Sequence, residues 1–288
     1  MNDGEGSRRC YLCDGSRFQT RPGKVRDSDA LEVLECLSCG LVFLSSFDHI
    51  QEDFYEDSGM HDTGWDLSTW RKESAPDDER RYNFLKDRLQ GKRVLDFGTG
   101  NAGFLIRAAD IVEEASGIEV EKKHYAAFEK EGLKIFPDAE AVEGRYDFIT
   151  LFHVLEHLPD PRAVLKSLGT KLAKGGRLII EVPSADDALL KLYESKAFSE
   201  FTYWSCHLFL FTPGTLKTLG EQAGLKVDIV DQVQRFPLSN HLHWLSKGKP
   251  GGQKEWAFLD EDGASERYEK RLAKIGHCDT LMGAFSGS

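Results

Sequence analysis

The stretch Val94-Leu95-Asp96-Phe97-Gly98-Thr99-Gly100-Asn101-Ala102-Gly103 constrains the fold more than any other part of the chain. Its apolar start reads as a buried strand, and the closely spaced glycines read as a tight turn opening a helix. Without a Cβ at Gly98, Gly100 and Gly103, a ligand can lie against the backbone and the next helix can close on the strand. Such a turn marks where a cofactor binds in an open α/β sheet. Asp96, two residues before the first glycine, would repel a dinucleotide pyrophosphate but could pair with an ammonium group. Glu119 ends the next apolar run, Ala115-Ser116-Gly117-Ile118, where a carboxylate can accept both hydroxyls of a ribose. The pair fits S-adenosylmethionine better than NAD.

Two further segments extend the pattern, Tyr146-Asp147-Phe148-Ile149-Thr150-Leu151-Phe152-His153-Val154-Leu155-Glu156-His157 and Gly175-Gly176-Arg177-Leu178-Ile179-Ile180-Glu181-Val182-Pro183. Together these motifs resemble the class I S-adenosylmethionine-dependent methyltransferases, over roughly residues 93–232. The resemblance implies an α/β fold with a doubly wound, mostly parallel, Rossmann-like sheet. It also implies S-adenosyl-L-methionine contacts from Asp96, Phe97, Gly98 and Gly100 beside the amino-acid end, and from Glu119 on the ribose. Asp138 and Ala139 would lie near the adenine, and Phe152 and His153 near the methyl group. Strands are expected at 93–97, 114–118, 133–136, 148–152, 177–182 and 226–232, with helices at 103–111, 122–131, 162–172 and 215–223 between them. A helix at 77–89, capped by Asp77, precedes the first of these strands.

Four of the six cysteines form two pairs, Cys10-Tyr11-Leu12-Cys13 and Cys36-Leu37-Ser38-Cys39, with 22 residues between them. Two residues between thiolates let one turn aim both sulfurs at a single ion, so the pairs predict tetrahedral Zn2+. Gly15 and Gly40 suit the turns, and residues 31–35 and 41–44 read as the strands of a small ribbon. Two disulfides or a redox pair are the competing readings. All four positions are used, so the metal is expected to be structural; a segment of ~40 residues buries too little apolar area to fold without such a clip. The expected organisation is a zinc ribbon at 1–47, then a linker or lid and leading helix at 48–90. A methyltransferase domain at 91–235, with an aromatic insertion at 185–213, and a carboxy-terminal extension at 236–288 complete it. A cysteine ribbon, an aromatic linker containing Phe54 and Tyr55, and then this domain is similar to the sugar methyltransferases of deoxysugar and surface-polysaccharide pathways. That likeness implies a sugar acceptor, read as nucleotide-linked, with the ribbon helping to cover the acceptor.

The formal net charge of -11 argues against broad capture of nucleic acid, which needs Lys and Arg on the phosphates. No apolar run reaches the ~20 residues of a membrane span, and the first residues lack a signal peptide's pattern, so a cytoplasmic protein is expected. The amphipathic tail around Leu272 and Ile275 would pack on the domain or on a twin subunit, leaving a homodimer open.

Methyl transfer from a sulfonium needs an aligned nucleophile and a proton acceptor. His153, His157 and His207 lie near the predicted strand ends. The setting of His207, after Tyr203-Trp204-Ser205-Cys206 and before Leu208-Phe209, is similar to the segment that carries the base in sugar C-methyltransferases. His207 is therefore the expected base, with His153 a second catalytic candidate. Those enzymes have a glutamate where this chain has Cys206, so O- and C-methylation both stay open. His153, Glu156, His157 and His207 could also converge on a divalent ion, as in somewhat similar Glu/His sets of small-RNA ribose and quinone-pathway O-methyltransferases. Alternatively the acid and imidazoles only fix the loop. The aromatics Phe198, Phe201, Tyr203, Trp204, Phe209 and Phe211 read equally as acceptor wall or core, and His241 and His243 alternate as on a strand. Arg71, Arg80 and Arg81 could meet an acceptor phosphate or the cofactor carboxylate, or be solvated. Beside a sugar methyltransferase, an RNA 2'-O-methyltransferase and a non-catalytic scaffold are the alternative functions.

Overall fold

Short apolar alternation makes two sheets in the computed structural model, which describes residues 8–50 and 66–287. The linker aromatics Phe54, Tyr55 and Trp65 lie outside the described residues. The smaller sheet runs β1 (Phe18–Thr20), β2 (Val33–Cys36), β3 (Val42–Leu44) and β9 (Phe209–Leu210), all antiparallel. Its last strand comes from the aromatic insertion, so the ribbon is sewn onto the rest of the chain. Arg21 reinforces the seam by pairing with Glu35 at 2.9 Å and donating to the Ala185 carbonyl at 2.7 Å. Tyr11 donates to Asp160, and Gln222 donates to the Leu12 carbonyl at 2.8 Å.

The larger sheet contains β4 (Arg93–Phe97), β5 (Glu114–Ile118), β6 (Lys134–Phe136), β7 (Tyr146–Phe152), β8 (Leu172–Pro183), β10 (Leu225–Val233) and β11 (Thr280–Gly287). Their spatial order is β10-β11-β8-β7-β4-β5-β6. The strands from β4 to β8 pair in parallel, while β11 runs antiparallel between β8 and β10. The tail thus supplies an inner strand of the sheet, which the sequence reading had only as a helix packed outside it.

Period-two alternation sends neighbouring side chains into two cores. Val94 and Ile179 face one with Leu85 and Leu89 of α1 (Leu67–Leu89), with Phe104 of α2 (Gly103–Ala108) and with Phe128 of α3 (Tyr125–Lys130). Leu95, Leu178 and Ile180 face the other with Leu165 and Leu168 of α4 (Pro161–Thr170). Between β8 and β9 the insertion forms α5 (Ala188–Lys191) and α6 (Lys196–Thr202); α7 (Pro213–Gln222) returns to cover the sheet with Leu216 and Leu219. Beyond β10 come α8 (Leu238–Lys247), α9 (Gly252–Glu255) and α10 (Ala264–Ile275).

Two expectations change here. The leading helix starts at Leu67, capped by Asp66, and passes through Pro76. Proline lacks one amide bond and favours a stop, but packing of this helix on α2 outweighs that local preference. Asp77 is consequently inside the helix, not its cap. His241 and His243 lie on α8, not on a strand, because three residues of alternation cannot distinguish the two periods. No described helix is long and apolar enough to cross a membrane.

Candidate active site

The carboxyl ends of β4, β5, β7 and β8 open onto a cavity of about 780 Å3, within the size range of small-molecule sites. At its first end the glycine turn makes the wall. Gly98 has φ +74°, and a Cβ there would stand 2.5 Å from Val154 Cγ2, so only glycine fits the turn beside the loop after β7. Gly103 serves a different neighbour from the one expected: its Cβ would stand 2.0 Å from the Asp78 carboxylate of α1.

Glu119 is buried at this end and accepts from the Gly100 amide at 2.7 Å and the Glu121 amide at 3.0 Å. Burial raises its carboxyl above the ordinary range despite these donors. Phe97, Gly98, Gly100, Phe152 and His153 also line the cavity. Asp96 stands behind the turn and is not among the lining residues. Its Oδ1 accepts from Thr150 at 2.5 Å, and burial pushes its carboxyl up to about 7. Asp138 and Ala139 do not reach the wall either; Asp138 is exposed and caps its own turn through the Ala141 amide at 2.7 Å. A two-residue acid-apolar signal after a strand does not specify which way the loop turns.

Instead α1 brings Trp70, Asp77, Asp78 and Arg81 to the cavity. A helix starting at Asp77 hides the acids' place; with Leu67 as its start, Trp70, Ser74, Asp77, Asp78 and Arg81 recur at helical spacing. The expected free arginines are all engaged. Arg71 grips Glu131 at 2.6 and 2.7 Å, and Arg80 and Arg81 both close on the buried Glu181, at 2.9 and 2.8 Å.

The loop after β7 holds the titratable cluster. His153 adopts φ +56°, and its ring is taken on both sides, Nδ1 by Glu156 at 3.2 Å and Nε2 by Glu181 at 3.1 Å. Burial opposes its charge, but the two carboxylates raise its pKa overall. With no nitrogen left for a substrate, His153 fits a positioning role better than the catalytic role first expected. Its proton holds Glu156 below the ordinary carboxylate range although burial alone would raise it.

Glu156, His157 and His207 bring one ligand atom each within 4.8 Å of one another. His157 Nδ1 faces the Cys206 carbonyl at 2.8 Å, and His207 Nδ1 faces the Thr202 carbonyl at 3.3 Å. Carbonyls only accept, so these nitrogens carry the protons and each Nε2 keeps its lone pair. Burial, then the neighbouring His157, brings His207 down to about 3. Glu156 Oε2 is buried without a hydrogen-bond partner among the described residues.

The second end of the cavity is walled by the insertion and α8. Phe198, Phe201, Trp204 and Trp244 line it, whereas Tyr203, Phe209 and Phe211 belong to the core. The aromatic cluster was therefore both wall and core. His241 lines the cavity, and burial holds its imidazole at about 4; His243 is fully buried against Glu255.

The four ribbon sulfurs also lie within 4.8 Å of one another, with Cys10–Cys39 and Cys13–Cys36 separations of 3.6 Å. No disulfide joins them. A tetrahedral ion bound at ~2.3 Å sets sulfurs about 3.8 Å apart, so the cluster fits such an ion.

Residues 69–230 match the family model described as a methyltransferase domain. A ubiquinone biosynthesis O-methyltransferase of Aeromonas salmonicida is 29% identical over 204 residues, covering 62% of this chain and 82% of the relative. The enzyme of the same name from Pseudomonas aeruginosa PAO1 is 23% identical, covering 69% and 92%. A Thermotoga maritima structure described as a possible histamine N-methyltransferase superposes with TM-score 0.52 at 19% identity, covering 84% of this chain and 100% of its own. That last likeness carries the fold alone.

Proposed function

The chain belongs to the methyltransferase domain family and is a class I S-adenosylmethionine-dependent methyltransferase, and from that premise we propose that it methylates a hydroxyl group of a small, ring-bearing acceptor. A sugar suits the aromatic end of the cavity, where ring faces can cover a pyranose. The convergence of Glu156, His157 and His207 carries this reading. A hydroxyl placed against these groups would attack the cofactor methyl as the carbon–sulfur bond breaks, its proton passing to the unprotonated Nε2 of His207. The relatives named O-methyltransferases support transfer to oxygen over carbon. A nucleotide handle on the sugar is dropped: among the described lining residues, the cations Arg81 and Arg235 are already paired with carboxylates.

Calorimetric titration with S-adenosylmethionine tests the premise and separates it from the scaffold reading, for which no binding is expected. Glu119→Ala should weaken that binding roughly 10- to 100-fold, as loss of a hydrogen-bonded charged partner does. Affinity equal to that of the unsubstituted protein would remove Glu119 from the cofactor site. The acceptor is then sought by screening sugars with labelled cofactor and locating the label by NMR.

A second reading concerns the same triad. The orphan Glu156 oxygen and the two inward Nε2 atoms fit a divalent ion, since ligating histidines commonly turn their other nitrogen to a carbonyl. Bound there, an ion would supply acidity to the acceptor hydroxyl. Elemental analysis of the purified protein should then find metal beyond that held by the cysteines, and Glu156→Gln should lose only this second fraction. The ribbon ion itself is proposed to be structural Zn2+, held by Cys10, Cys13, Cys36 and Cys39.

A further inference from the structure

The cavity also holds a carboxylate that the transfer chemistry does not use. Asp187 is only 3% exposed and lines the cavity. Its Oδ1 accepts from the Leu189 amide at 2.7 Å, while Oδ2 has no hydrogen-bond donor among the described residues. Its neighbours differ in this respect. Asp279 accepts from the Arg235 and Phe236 amides at 2.8 and 2.9 Å and from Gln234 at 2.7 Å. Arg235 is committed to Asp77 at 2.8 Å and cannot serve Asp187 as a counter-ion. Burial and the charge of Asp279 together push the Asp187 carboxyl well above its ordinary range, so an arriving cation would relieve both.

The α5 helix, whose first turn Asp187 caps, packs against α6. From α6, Phe198 and Phe201 meet Trp244 of α8 with ring centroids 5.2 and 5.1 Å apart, and all three line the same cavity. A carboxylate oxygen without a donor among the described residues, on a cavity that ring systems also wall, can receive an ammonium group: the oxygen supplies the charge and hydrogen bond, and ring faces add cation–π attraction. A phosphate or carboxylate would be repelled here, and a neutral group would bring no counter-charge to Asp187.

We propose that Asp187, with Phe198, Phe201 and Trp244, forms a subsite for a protonated amine of the acceptor, which makes the acceptor class an amine-bearing ring such as an amino sugar. The proposal rests on the methyltransferase reading of the cavity. Cyclohexylammonium and cyclohexanol serve as matched probes, titrated by tryptophan fluorescence and calorimetry with and without S-adenosylhomocysteine. Cyclohexylammonium should bind at least about tenfold more tightly than cyclohexanol, and Asp187→Asn should weaken it roughly 10- to 100-fold. Trp244→Leu should weaken it several-fold, and both variants should keep their affinity for S-adenosylhomocysteine. Equal binding of the two probes, or unchanged ammonium affinity in Asp187→Asn, overturns the subsite. If Asp187→Asn fails to fold, the comparison of probes on the unsubstituted protein and on Trp244→Leu decides. Failure of S-adenosylhomocysteine itself to bind would count against the functional reading and is read separately from the probes.

Discussion

His207→Ala is expected to lower kcat by about 10^2- to 10^4-fold, the usual contribution of a positioned general base, with cofactor affinity preserved. The side chain lies among the insertion residues, makes none of the contacts of the glycine turn, and turns its proton-bearing nitrogen to the Thr202 carbonyl. Its depressed pKa of about 3 also fixes the sign of a pH effect. Protonation would begin only far below neutrality, so His207 contributes no loss of rate between about pH 5 and 8, where an ordinary histidine would titrate. So weak a base can take the proton only as the oxygen–carbon bond forms. Rate measurements on the variant and the unsubstituted protein across that range check both points. Unchanged turnover would refute the base assignment, and an acid limb near 6.5 that vanishes with His207 would refute its depressed pKa while leaving it the base.

Stripping the ribbon ion with a strong chelator, or replacing Cys39 by serine, should lower Tm by roughly 10 °C or more, given the folding energy a structural zinc carries. Turnover should collapse with it while S-adenosylmethionine still binds, because none of residues 8–50 lines the cavity. The coupling is mechanical. The Leu44 amide bonds the Leu208 carbonyl at 3.0 Å, the Arg26 amide bonds the Tyr203 carbonyl at 2.9 Å, and Asp27 accepts from the Ser205 hydroxyl at 2.7 Å. These contacts hold the loop that carries Trp204, the Cys206 carbonyl on His157, and His207 itself. Differential scanning calorimetry with parallel rate and binding assays would show it. A chelated protein with unaltered Tm and turnover would make the ribbon dispensable.

Particular elements show how far the sequence can be read. The runs 93–97 and 114–118 are legible residue for residue as β4 and β5, because buried parallel strands are short, apolar and bounded by glycine or charge. β11 escaped notice: Thr280-Leu281-Met282-Gly283-Ala284-Phe285 has neither clean alternation nor β-branched residues beyond its first, and its strand state comes from pairing on both sides. The cysteine spacing anticipated the sulfur cluster, since only two short turns are involved. Asp77, Asp78, Arg235 and Asp187 were missed as cavity residues because each is brought there by a helix start or a loop that local sequence does not specify.

From its residues alone the chain dictated a glycine-lined turn after a buried strand, an acid one strand further on, and paired thiols at metal-binding spacing; all of these depend on local geometry over a few residues. Tertiary structure decided the rest. Only packing could seat the ribbon against the His207 loop, occupy both nitrogens of His153, and leave one Asp187 oxygen facing the cavity, because hydrogen-bond satisfaction is settled by groups that lie far apart in sequence and meet only when the core closes.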